Sequence, residues 1–101
     1  MKKKADLKTQ ATKINPFAVG QKILIRTVTM IQLGRIIDVG PDYILLEDGG
    51  WVADTARFGL ETLTNGKLNE FERSPGKWFG VGRGAIVDFW PWDHELPQST
   101  I

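Results

Sequence analysis

At 101 residues, 42% hydrophobic and 25% charged, the chain has the composition of one ordinary globular domain with a modest core and no room for a second. It contains no cysteine, which excludes disulfides, zinc–thiolate sites and thiol nucleophiles. The net charge of +1 is unevenly spread: residues 1 to 15 carry five lysines against one aspartate (+4), and residues 16 to 101 carry eight basic against eleven acidic side chains (−3).

That split predicts a basic, flexible arm over residues 1–15 and a folded body, residues 16–101, with no general excess of positive charge to hold phosphates. Nucleic-acid binding is the other role that such an arm takes. No apolar stretch follows Lys2, Lys3 and Lys4, and no run approaches the ~18 apolar residues of a membrane helix. The expectation is a cytoplasmic protein with no membrane partner.

Asn15-Pro16 disfavours helix, so ordered structure is expected from about Phe17. KILIRTVTM, residues 22–30, alternates and is rich in β-branched side chains, which predicts a first strand. IQLGRIIDVG, residues 31–40, predicts a second, with Gly34 placed where a strand can bend or bulge. Gly40-Pro41-Asp42 turns the chain into a third strand, YILLEDGG, and loops this short make neighbouring strands antiparallel.

From residue 51 the period changes. Ala56, Leu60 and Leu63 share one helical face, Asp54 or Thr55 can cap the start and Gly66 the end, so one short helix is expected over about 54–66. KLNEFERSPG is ambiguous, a strand edge at most, closed by Ser74-Pro75-Gly76. KWFGVGR and AIVDFW predict two more strands, separated or bent at Gly82 and Gly84. Together these elements predict a mainly-β fold: a small, bent five-stranded barrel with one inserted helix, of the Sm-like or SH3-like kind.

LGRIIDVGPDYILLEDG, residues 33–49, resembles the first motif of the Sm-like family, in which a glycine sits in the bent second strand; Gly34 fits it. The family's acid six positions on is Gly40 here, with Asp42 close by. VGRGAIVDF, residues 81–89, is similar to the second motif, matched by Arg83, Gly84 and Ile86. The resemblance covers about half of the chain and implies the fold. It also implies an RNA grip at Arg83, but at the family's polar position in strand three this sequence has Tyr43, Ile44 and Leu45. EDGGWVADTARF followed by GRGAIVD also looks like small bacteriophage and prophage proteins, a likeness that implies a phage accessory role, in the host cytoplasm or the virion.

Arg83 can stack on a base or hold a phosphate, or else pair with Asp88 or Asp48. Arg57 and two tryptophans, Trp51 and Trp78, complete a candidate ligand-binding set, although tryptophans at strand ends more often plug a core. Trp90-Pro91-Trp92 is a candidate protein interface because proline stops the strand between two indoles. Asp42, Glu47, Asp48 and Asp54 match no calcium loop, so turn and cap roles are expected and no metal or cofactor is. His94 is expected to be exposed, with no nucleophile beside it.

No acid–base or nucleophile constellation emerges, so the chain is expected to be no enzyme. Two functions remain. The first is an oligomeric barrel that assembles with itself or binds a protein partner through open strand edges. The second is a nucleotide or RNA binder, including one that sequesters a nucleotide signal, using Arg83 and aromatic side chains; the acidic body favours the first.

Overall fold

A computed structural model describes residues 14–53 and 60–101 of the chain. Among these residues six strands form one antiparallel sheet: β1 (Lys22–Thr27), β2 (Ile31–Val39), β3 (Tyr43–Val52), β4 (Phe71–Arg73), β5 (Phe79–Gly82) and β6 (Ile86–Pro91). A short helix, α1 (Leu60–Asn65), precedes β4, and a single 3₁₀ turn (Arg83–Ala85) joins β5 to β6. The order across the sheet is β4-β3-β2-β1-β6, with β5 also paired to β3.

The mainly-β class and the short helix are as expected; among the described residues the strands number six rather than five, and the sheet they form is not closed. The additional strand, β4, is three residues long, too short for any alternation to show in the sequence. It exists because Phe71, 1% exposed, is buried and because β3 offers it an edge from Gly50 to Val52.

Two local features shape the sheet. The β1–β2 turn is closed by Thr27, whose N–H donates to the Met30 carbonyl (2.7 Å) and whose hydroxyl accepts from the Met30 N–H (3.0 Å). β3 carries its bend at Asp48-Gly49-Gly50, where Asp48 has φ 55, left-handed for a residue with a side chain. A Cβ on Gly49 would sit 1.8 Å from the Leu33 carbonyl oxygen, so only glycine lets the two strands approach here. The register slips across Leu33 and Arg35, next to Gly34, which places the expected irregularity in β2 opposite the bend in β3. As a result the first half of β3 pairs with β5, Tyr43 opposite Gly82, and the second half with β4.

Both faces of the sheet are buried. Ile23, Ile25, Ile36, Ile44, Leu46 and Val81 fill one cluster, with Phe17, Phe79, Ile86 and Phe89 packed against it. Leu24, Leu33, Val52, Phe71, Trp92 and Leu96 are the centre of the other. β1 alternates between them, and Ile23, Leu24 and Ile25 are each 0% exposed. The second cluster is closed by Leu63 of α1 and by residues 92–101, a strap that leaves β6 with the Trp92 N–H donating to the Lys22 carbonyl (3.0 Å).

The helix ends as the sequence predicts: Gly66 takes φ +73 and its N–H donates to the Thr62 carbonyl (2.8 Å). The expected caps Asp54 and Thr55, along with Ala56 and Arg57, lie outside the described residues. None of the helices among the described residues is long and apolar enough to cross a membrane.

Candidate functional site

Arg83 opens the 3₁₀ turn after β5, and its backbone ties that turn to the β2–β3 connection: the Arg83 N–H donates to the Asp42 carbonyl (3.0 Å). Its side chain reinforces the tie, with Nη1 donating to the Gly40 carbonyl (2.9 Å). The guanidinium lies 5.4 Å from the centroid of Phe17, which in turn packs against Phe89 at 4.6 Å. Arg83 is nonetheless exposed.

The carboxylates expected as its partners are held elsewhere. Asp88 is gripped by Arg26 through a two-point pair, one contact of which is Nε to Oδ1 at 2.8 Å. Asp48 accepts from Arg73 Nη2 (3.2 Å), Arg35 Nη1 (3.4 Å) and Gln98 Nε2 (3.3 Å). Burial pushes the Asp48 pKa up, but the hydrogen bonds from Gln98 and Arg73 and the charges of Arg73 and Arg35 outweigh it and leave the carboxyl below its ordinary value. Beside Arg83, the Tyr43 hydroxyl donates to Asp38 (3.2 Å), and this bond with the Asp38 charge raises the phenol above its ordinary value.

The other expected ligand residues do not join Arg83. Trp51, 36% exposed, lies at the far end of β3 and lines an open cleft of about 360 Å³ with Thr27, Val28 and Met30. Trp78 is 59% exposed on the β4–β5 connection. Neither plugs the core, contrary to the usual fate of tryptophans at strand ends. Arg57 falls outside the described residues.

The expected protein interface is likewise redistributed. Trp92 is 2% exposed, a core residue whose Nε1–H donates to the Glu95 carbonyl (3.2 Å), so its indole presents no face to a partner. Trp90 is half-buried against the same cluster. The physical reason is that the chain does not leave the sheet after Pro91 but folds back over it. His94, expected exposed, is half-buried: Nε2 is 2.7 Å from the Leu63 carbonyl, and the ring meets Trp92 edge-on at 5.1 Å.

Sequence reasoning missed the polar cluster of Arg35, Asp48, Arg73 and Gln98, whose members come from β2, β3, β4 and the strap. The available signal was Asp48-Gly49-Gly50, an acid before a glycine pair. Among the described residues no group of three or more His, Asp or Glu side chains is arranged to hold a metal ion.

Comparison with protein-family models, with curated proteins and with solved structures finds no match. Fold and surface together define a small, mainly-β domain built on one antiparallel sheet.

Proposed function

We propose that the chain is a non-enzymatic assembly and binding module, a bent barrel-like domain of the Sm-like or SH3-like kind that pairs with further copies of itself through its strand edges. One observation carries this reading. Both faces of the sheet are already filled by the chain's own side chains, while among the described residues β6 at one edge pairs with β1 and β5 pairs with β3. Unpaired edges are templates for another strand. Exposed apolar side chains stand by both, Val87 (57% exposed) on β6 and Trp78 just before β5.

Pairing β5 of one copy with β6 of the next is a head-to-tail contact, which yields a ring when the rotation closes. The likeness of EDGGWVADTARF and GRGAIVD to small phage proteins supports a phage accessory or structural role, in the host cytoplasm or the virion. Sedimentation velocity tests the reading. A single oligomeric species is expected for the full chain, and Val87→Lys, which puts a charge on the edge, should shift it toward monomer. A clean monomer at micromolar concentration refutes it.

A second reading, nucleotide binding at Arg83, is supported by the exposure of its guanidinium, which among the described residues donates to the Gly40 carbonyl through Nη1 and has five N–H donors in all. Calorimetric titration with mononucleotides, cyclic dinucleotides and uridine-rich RNA tests it. If it holds, Arg83→Ala costs about 1.5–3 kcal/mol of binding without changing oligomer size.

A further inference from the structure

The strap is held in two different ways along its length. Residues 92–96 are anchored by burial: Trp92 is 2% and Leu96 5% exposed, both in the core cluster of Leu24 and Leu33. The Lys22 ammonium adds a bond to the His94 carbonyl (2.6 Å). Residues 98–101 are all exposed, so burial contributes little to their position. Hydrogen bonds hold them instead. The Ile101 N–H donates to the Phe71 carbonyl (2.8 Å), the Phe71 N–H donates to the Ile101 carbonyl (3.3 Å), and the Arg73 N–H donates to Thr100 Oγ1 (3.3 Å).

The side chains that tie this second half down converge on Asp48. Arg73 bridges the two: its Nη1 donates to the Pro97 carbonyl (2.6 Å) while its Nη2 lies 3.2 Å from Asp48 Oδ1. Gln98 Nε2 donates to the same oxygen (3.3 Å), and Arg35 Nη1 reaches Oδ2 from β2 (3.4 Å). The other charged groups around this carboxylate are Glu47 on β3, 3.8 Å from Arg35, and Lys22 on β1 and Glu95 on the strap, which line one hollow of about 340 Å³ with Arg35, Asp48 and Gln98. Neutralising Asp48 removes the anion that Arg73 and Gln98 share, whereas Arg35 keeps Glu47.

We propose that residues 97–101 form a latch that opens as a unit beyond Leu96 when the Asp48 carboxylate is neutralised, while the sheet and residues 92–96 stay folded. Opening takes the residue 100 and 101 acceptors away from the Phe71 and Arg73 N–H groups and leaves β4 paired with β3. The charge on one β3 side chain thereby controls the cover on β4. Acid is the trigger. Burial pushes the Asp48 pKa up, but the bonds from Gln98 and Arg73 and the charges of Arg73 and Arg35 leave it below its ordinary 3.8. The latch is therefore closed above that value and opens as pH falls through the lower folded-state value. Opening this segment forfeits few buried contacts, so it precedes global unfolding.

Amide hydrogen exchange on the full chain, read residue by residue by NMR, tests the latch. At neutral pH Asp48→Asn, which tolerates φ 55, is expected to speed exchange at Phe71 and Ile101 roughly fivefold or more, the loss of about one hydrogen bond, with the amides of β1 unchanged. Gln98→Ala, an exposed substitution outside every strand, should speed the same two amides and again spare β1. In the parent protein, protection at Phe71 and Ile101, corrected for intrinsic exchange, is expected to fall below pH 3.8 ahead of protection in β1, and Asp48→Asn should abolish that step. Unchanged exchange at Phe71 and Ile101 in Asp48→Asn overturns the latch. Equal loss of protection in β1 overturns the local opening, since the whole sheet would then be unfolding.

Discussion

Replacing Trp92 with alanine should destabilise the fold by about 3–5 kcal/mol, the range for deleting a buried Trp or Phe side chain. Trp92 is 2% exposed, lies in the cluster with Leu24, Leu33 and Leu96, and meets His94 edge-on. Losing the indole N–H also leaves the Glu95 carbonyl without that donor, on the order of 1 kcal/mol of the total. A domain of this size is stable by ~5–15 kcal/mol, so the loss is a large fraction of it. At ~4–8 °C per kcal/mol, Tm should fall by on the order of 12–40 °C. Urea unfolding followed by far-ultraviolet circular dichroism reads the change directly, with Trp78→Ala as its control. Trp78 is 59% exposed, and its removal should stay within about 0.5 kcal/mol. A cost below about 1 kcal/mol for Trp92, or an equal cost for the two, refutes the placement of Trp92 in the core.

Gly49→Ala should cost about 4 kcal/mol or more in thermal denaturation, because its Cβ would lie 1.8 Å from a backbone oxygen that cannot yield without parting β2 from β3. Gly82→Ala should instead stabilise by ~0.4–1 kcal/mol, since φ −68 and ψ 126 suit alanine and nothing lies within 4 Å of the new methyl group. Asp48 has a depressed pKa in the folded state, so its contribution is fully present above the ordinary value of 3.8 and is lost as pH falls through the lower folded-state value. Asp48→Asn, which tolerates the left-handed backbone, should flatten the stability–pH curve below that ordinary value when urea unfolding is repeated across the acid range.

The site was legible only in pieces. Arg83 stands out by its place before an apolar strand, and the structure puts it in a turn between two strands, but its contacts are with the Gly40 carbonyl and Phe17 rather than with an acid. Gly40 and Phe17 are distant along the chain, and no local pattern announces such a contact. Asp48 looked like a turn residue. Its role as the acceptor for Arg35, Arg73 and Gln98 depends on a bend in β3 that brings three other segments to one oxygen pair.

Local chemistry determined the strands from 22 to 52, the turn at Gly40-Pro41-Asp42 and the Gly66 helix stop, because alternation, proline geometry and the freedom of glycine act over a few residues. Tertiary structure alone decided that β4 exists, that the sheet stays open, and that Trp92 is buried while Trp78 is not. The burial of Trp92 and the cover on β4 turn on where residues 92–101 travel. Burial depends on which surface a segment meets, and an apolar side chain reads the same in sequence whether it meets solvent, a partner or the far face of its own sheet.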